Sequence, residues 1–397
     1  MARKKHRQGE PRPHVALLVE TSLISGREIL RGISRYVQEH GPWAIFHEPR
    51  SLGATAPAWL KTWRGDGVIV RVQSQQIAEV VERTGLPAVD VLGVAPDSHI
   101  PLVHVNNTLI GGAAAEHLLE RGLRQFGFCG FSELNWAEQR RLAFEQAVAA
   151  AGCPCRFFRI PLHTRSDSSW ETQQERLAAW IQRLPKPIGI MACYDPVGQK
   201  ILEACRRADV VVPDQVAVVG VDNDETICDV CNPPLSSVIA NHARVGYEAA
   251  VLLDRLMHGA RTPKRSCWIE PTGVAVRHSS DTVAVGDEDV VAALTLIHQK
   301  ACSGLTVRDV VAHVSVSHST LRERFQRVLG RTIRDEMIRT QLKQAQQLLA
   351  TTDWPLRSVA IKAGFRYQEY MGAVFRARLG KTPGQFRKEA QIKRTTG

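Results

Sequence analysis

Residues 359–387 read VAIKAGFRYQEYMGAVFRARLGKTPGQFR. Val359 and Ala360 end a short apolar stripe, Gly364 and Phe365 interrupt it, and Met371, Phe375 and Leu379 then recur at helical spacing. Two short helices joined by a tight turn satisfy that pattern. Each anchor has a physical job. Gly364 permits the turn, Phe365 and Phe375 pin the two helices together, and Gly380 ends the second helix with a positive φ. Pro383 stops that helix from running into the next.

Working outward, the same device stands fifty residues earlier. Leu321/Met371, Phe325/Phe375, Gly330/Gly380 and Thr332/Thr382 are in register. Val307, Val310, Val311 and Val314 predict the helix before the first turn, and Leu321, Phe325 and Val328 the helix after it. Residues 339–349 predict a long connecting helix with Leu342, Ala345 and Leu349 inward, and Val290, Leu294, Ile297 and Ala301 a leading helix. Residues 290–390 therefore predict an all-α domain with two helix–turn–helix units.

Residues 14–280 follow another rule. Apolar runs at 14–19, 67–72, 87–92, 102–105, 126–130, 155–161, 188–193 and 216–221 alternate with amphipathic helical stretches. Continuous apolar strands between such helices predict parallel sheets covered on both faces. The length is too great for one small sheet, so two α/β lobes with a cleft between them are expected. A basic arm at 1–13, an acidic linker at 281–289 and a tail at 391–397 complete the division.

Charge separates the parts. Of 51 Lys+Arg and 40 Asp+Glu, residues 1–13 hold five and one, 14–285 hold 27 and 29, and 286–397 hold 19 and 10. The net +11 is thus a near-neutral body with basic ends, and residues 286–397, at +9, predict a polyanion partner. No apolar run approaches the roughly 18 residues of a membrane span, and the apolar stretch behind the basic start is too short for a signal-peptide core. The expectation is a soluble cytoplasmic protein without a membrane partner. The nine cysteines are scattered. Neither Cys153/Cys155 nor Cys228/Cys231 has a second ligand pair at zinc spacing, so they predict reduced thiols and no metal. G-x-G-x-x-G, P-loop and G-x-S-x-G patterns are missing, which argues against an enzyme and for no cofactor.

On Ala360, Gly364-Phe365, Phe375-Arg376 and Gly380-Lys381-Thr382-Pro383-x-x-Phe386-Arg387, the stretch 288–390 resembles the AraC/XylS family of bacterial transcription factors. Two departures stand out. Ser315 replaces the first turn glycine, and Gly372-Ala373 replace a frequent Ser-Arg pair, which removes a base or phosphate contact from the second unit. Residues 14–280 resemble the ligand domain of the lactose-repressor family, itself built like a periplasmic sugar-binding protein. The carriers are 136–144 (WAEQRRLAF), 188–195 (IGIMACYD) and 216–223 (VAVVGVDN). The fusion of the two, with 65–69 (GDGVI) and 235–238 (LSSV), narrows the resemblance to sugar-operon regulators.

The resemblance places Arg140, Asp195 and Asp222 at ligand contacts. Carboxylates accept sugar hydroxyls and a guanidinium donates in a planar fork. Asp195 and Asp222 also stand at strand C-terminal ends, where open α/β sheets bind ligands, and Asp195 before Pro196 can serve as a helix cap as well. Trp136 is a stacking candidate, and Tyr194, Asn223, Glu20, Ser22 and Arg27 are further candidates. On the DNA side, Ser317, Ser319, Thr320, Arg322 and Glu323 of the first recognition helix and Tyr367, Gln368, Glu369 and Tyr370 of the second are candidates for the groove. Arg366, Arg376, Lys381 and Arg387 suit phosphates. The two helices are expected in successive major grooves about 34 Å apart. The resemblance further implies double-stranded operator DNA, D-xylose, RNA polymerase and a homodimer. The alternatives left open are another sugar or small molecule, and a repressor.

Overall fold

Val15 to Val19 are all buried, as a strand covered on both faces requires. The computed structural model describes residues 12–48, 55–95, 97–161, 170–261, 266–281, 288–329 and 331–388. Most of the basic arm and linker, the tail, Gly330 and the side chain of Val328 lie outside the described residues. The chain divides into two compact units, residues 1–118 with 124–281, and residues 119–123 with 282–397.

In the first unit, β1 (His14–Leu18), β2 (Ala44–His47), β3 (Gly67–Val70) and β4 (Ala88–Asp90) form a parallel sheet in the order β2-β1-β3-β4. The helices α1 (Ile24–His40) and α2 (Gln75–Glu82) alternate with these strands. Beyond β4, β5 (Val103–Val105) pairs in parallel with β11 (Cys267–Ile269).

A second sheet has the order β12-β10-β9-β8-β6-β7. It contains β6 (Phe126–Gly130), β7 (Cys155–Arg159), β8 (Ile188–Ala192), β9 (Val216–Val221), β10 (Ser236–Ile239) and the antiparallel β12 (Gly273–Ala275). Its helices are α3 (Asn107–Glu120), α4 (Asn135–Ala150), α5 (Trp170–Arg183), α6 (Asp195–Arg207) and α7 (Glu225–Val230). The chain passes between the lobes three times: after β5, after β10 and between β11 and β12. After β10 it returns to the first lobe as α8 (His242–Met257), which packs on α1. The approach is close enough that a Cβ on Gly32 would overlap the Ala243 carbonyl, and one on Gly246 the Ile29 carbonyl.

In the helical unit, α9 (Glu288–Lys300), a 3-10 turn at Ala301–Ser303, α10 (Val307–Ala312) and α11 (His318–Leu329) surround one core. A second core lies under the end of α12 (Ile333–Thr351), α13 (Leu356–Lys362) and α14 (Gln368–Leu379). The connecting helix begins at 333 rather than 339. Thr332 accepts from the Asp335 N–H while the Asp335 carboxylate accepts from the Thr332 N–H, a capping box that starts the helix before its apolar stripe does. Thr382 and Gln385 repeat the device at the following helix, 3.2 Å and 2.8 Å for the two bonds. The fifty-residue echo thus has one physical meaning at both ends: Leu321/Met371 and Phe325/Phe375 are fully buried, and Thr332/Thr382 cap.

Candidate functional site

Parallel strands bring their C-terminal ends to the cleft, and several of them end in a charged or polar residue. Glu20 follows β1, Arg71 follows β3, Asp90 ends β4, and Asp222 follows β9. All are buried or nearly so. Glu20 and Arg71 form an ion pair that Ser25 joins, 3.1 Å from the guanidinium. Arg140, on α4, donates to Asn107 Oδ1 (3.0 Å) and the Cys193 carbonyl (2.7 Å), with its second nitrogen 3.6 Å from Asp222. Its guanidinium lies over the Trp136 ring at 5.0 Å.

Asp222 and Asn223 both adopt positive φ, 98° and 54°. Asp and Asn tolerate this region better than bulkier residues, and the turn aims Asp222 at His242 on α8. His242 Nε2 donates to Asp222 Oδ1 at 2.9 Å. Burial works against a charge on Asp222, but Arg140 and then His242 outweigh it and hold the carboxyl well below the usual carboxylate range. His104 donates from Nδ1 to the Val91 carbonyl at 3.1 Å, which leaves Nε2 as an acceptor. Burial, with the charges of His242, Arg140 and Arg71, lowers its pKa to about 3, so the ring stays neutral.

Four buried polar atoms of this cluster have no partner: His104 Nε2, His242 Nδ1, Arg71 Nε and Asp224 Oδ1. Unsatisfied buried groups are costly and mark a place that something else fills. Donors and acceptors from both lobes together suit hydroxyl groups, which both donate and accept. Asp90, His104, Asn107, Trp136, Gln139 and Trp268 are among the residues lining an adjoining cleft of about 420 Å³, ample for a monosaccharide.

Not every candidate points into the cluster. Asp195 is buried with one oxygen accepting from Ser237 Oγ (2.6 Å) and the other from the Asp224 N–H (2.7 Å), so it holds the turn that carries Asp224. Burial, then the charge of Asp222, pushes its carboxyl up to about 8. Tyr194, not Asp195, occupies the N-cap of α6 and packs between Phe131 and Trp136. Asn223 accepts from Arg277 (2.8 Å). Ser22 is exposed and offers its carbonyl to Arg27 (3.1 Å). Arg27 bridges the lobes instead of the cleft interior, 3.0 Å from Asp224. Sequence reasoning passed over Arg71, Asp90, His104 and His242. A charged or polar residue closing an apolar strand was the available signal for the first two; nothing local marked His242, which arrives on α8 from far along the chain.

In the helical unit, His318, Ser319, Arg322, Glu323 and Gln326 form the exposed face of α11, while Leu321 and Phe325 are buried. Ser317 accepts from the Thr320 N–H at 3.2 Å, capping the helix, and its hydroxyl meets Ser319 and Thr320. On the second unit Arg366, Tyr367, Gln368, Glu369, Tyr370 and Arg376 are all exposed, and the Arg366 guanidinium lies 5.4 Å from the Tyr367 ring. Lys381 sits over Phe386 at 5.5 Å. Arg387, expected at a phosphate, is half-buried and donates to the Trp354 carbonyl at 2.5 Å. That bond makes it a brace for the turn before α13. Among the described residues no cluster of three metal-ligating side chains occurs, and no helix is long and apolar enough to cross a membrane.

Family profiles match three segments: a XylR N-terminal domain at 14–107, a periplasmic binding protein-like domain at 115–280 and a helix-turn-helix domain at 310–389. Fold and family matches together make this a transcriptional regulator in which a sugar-binding, periplasmic-binding-protein-like domain precedes an AraC-type helix–turn–helix domain. The chain is 30% identical to the xylose operon regulatory protein of Escherichia coli K12, covering 98% of both chains. It is 29% identical to that of Haemophilus influenzae, over 94% of this chain and 97% of the relative. The solved structure of a xylose-binding transcription activator, XylR, is similar over 95% of this chain and 98% of that one, at 30% identity and a TM-score of 0.62. The chain belongs to the family of xylose operon regulatory proteins, and is a sugar-responsive DNA-binding regulator of xylose utilisation. A cellobiose-bound CelR regulator, 22% identical over 67% of this chain and 84% of its own with a TM-score of 0.55, shares the fold of the sensor.

Proposed function

We propose that residues 14–280 bind D-xylose between the two lobes and that residues 290–390 read an operator as a cytoplasmic transcription activator. The observation that carries the sugar site is the set of Arg71, His104, Arg140 and His242, all buried, around the nearly buried Asp222, with its unpartnered donors and acceptors. Asp222 accepts ring hydroxyls, Arg140 and Arg71 donate, His104 accepts, and Trp136 covers an apolar ring face. Asp195 positions the Asp224 turn, while Glu20 orients Arg71.

On DNA, Ser319, Thr320, Arg322 and Glu323 contact base edges and the second unit contributes Tyr367, Gln368, Glu369 and Tyr370. Arg366, Arg376 and Lys381 neutralise phosphates. Sugar binding favours the closed sensor, rearranges a homodimer and presents two helix–turn–helix domains to neighbouring sites, where RNA polymerase is recruited. The ligand shifts this equilibrium only by its differential affinity for the two states.

A thermal-shift panel of pentoses and hexoses tests the ligand. A specific sugar at 100 times its dissociation constant adds about 2.7 kcal/mol. Stabilisation by D-xylose above its epimers is expected; a hexose or a non-sugar metabolite winning the panel would move the reading to another ligand. Footprinting with and without D-xylose tests gating, and identical affinity and footprint would remove control of DNA binding.

A further inference from the structure

Two cores of the helical unit share one element. Buried residues of α12 up to Met337 belong to the first core, and those from Leu342 onward to the second. Each core packs on its own part of this helix, so the contacts across the seam between them decide how one unit sits on the other. Gln341 stands where the cores change over. It is buried, and its side-chain nitrogen donates to the Ala301 carbonyl at 2.8 Å and to the Gly364 carbonyl at 2.9 Å.

Those carbonyls belong to different units. Ala301 sits in the first core, and Gly364 is the turn glycine ahead of Phe365 in the second. Both hydrogens of one planar amide are therefore spent on bonds that point to opposite sides of the seam. The seam is tight as well: Gly364 has φ 84°, and a Cβ there would come within 2.6 Å of the Ala301 oxygen and of Cys302 Cα. A turn glycine needed for its φ alone would tolerate open space around it.

We propose that Gln341 is a positioning residue that fixes the mutual placement of the two helix–turn–helix units and so sets the one spacing of DNA sub-sites that the domain accepts. It touches no base. It selects by geometry, because one inserted base pair displaces a sub-site by about 3.4 Å and rotates it by about 35°. This rests on the reading that α11 and α14 both enter the duplex.

The test uses the full-length protein with D-xylose. Its preferred duplex is first selected from a random library, and binding is then measured to that duplex, to versions with one base pair inserted or removed between sub-sites, and to the first sub-site alone. Wild type should lose about tenfold in affinity per altered spacing, the cost of a mismatched contact. Q341L, which removes both donors, should discriminate less than about threefold while holding the isolated sub-site as well as wild type does. Q341M, unbranched and of similar volume, serves if Q341L does not fold. Retention of tenfold discrimination by Q341L or Q341M would overturn the proposal, as would an equal loss on the single sub-site. Wild type indifferent to spacing would overturn the two-helix reading and the proposal with it.

Discussion

Asp222 is the carboxylate that Arg140 and His242 share in the cleft. It is the counter-charge of Arg140 and the hydrogen-bond partner of His242, and all three are buried or nearly so. D222N should therefore weaken D-xylose by about 2 kcal/mol or more, roughly thirtyfold, since a buried cation loses its counter-charge and a hydroxyl its acceptor. Calorimetric titration measures this, and unchanged affinity would remove Asp222 from the site. Asp195 has a different signature. Its folded carboxyl titrates near 8, against about 4 in an unfolded chain. Between those values the folded state holds a proton that the unfolded chain has released. Its stabilising contribution is complete below about pH 4 and is lost as pH rises through 8, by up to about 1.4 kcal/mol per unit. D195N abolishes this, so the stability gap between wild type and D195N should shift steadily from pH 5 to 8. His104 titrates alike in both proteins and cancels. A gap independent of pH would place the proton elsewhere.

At the scale of elements, α14 carries an avoidable weakness. Gly372 lies mid-helix, and a Cβ there would meet nothing within 4 Å. G372A should stabilise the helical unit by about 1 kcal/mol, read as a rise in its thermal midpoint, because alanine removes the backbone-entropy cost without a clash. The opposite holds for G246A. Its Cβ would meet the Ile29 backbone, and α8 would be forced off α1. Loss of the sensor's cooperative unfolding, with the helical unit still folded, is the expected result. Part of this organisation is legible in the sequence. The apolar stripes at helical spacing and the fifty-residue echo identified the helices and their buried faces, because 3.6-residue periodicity needs no tertiary information. The elements missed were β2, β10, β11, β12 and α7, all six residues or shorter. Ala44, Ile45 and Phe46 are exposed on an edge strand, so no burial pattern announced them.

At the scale of the whole sensor, Arg27 joins the first lobe to Asp224 of the second at 3.0 Å. Arg27 is partly exposed, so the pair contributes only a modest bias toward closure. R27A should raise the dissociation constant for D-xylose about two- to fivefold by lowering the closed population before sugar arrives. Small-angle scattering of the sugar-free protein should show a more extended sensor. If neither changed, closure would not depend on that pair.

Periodicity, charge and spacing were sufficient for two α/β lobes with a cleft, the double helix–turn–helix unit and the anionic partner of the basic end. These depend on local rules, in which each residue is read against neighbours a few positions away. Periodicity could not choose which polar side chains converge. Asp222 meets His242 twenty residues on and Arg140 eighty-two residues back, and Gln341 joins Ala301 to Gly364 across the seam of two cores. The order of strands, the return of α8 to the first lobe and the close passage of glycines decide such meetings. Only packing in three dimensions settles them, because each brings together groups with no constraint on one another along the chain.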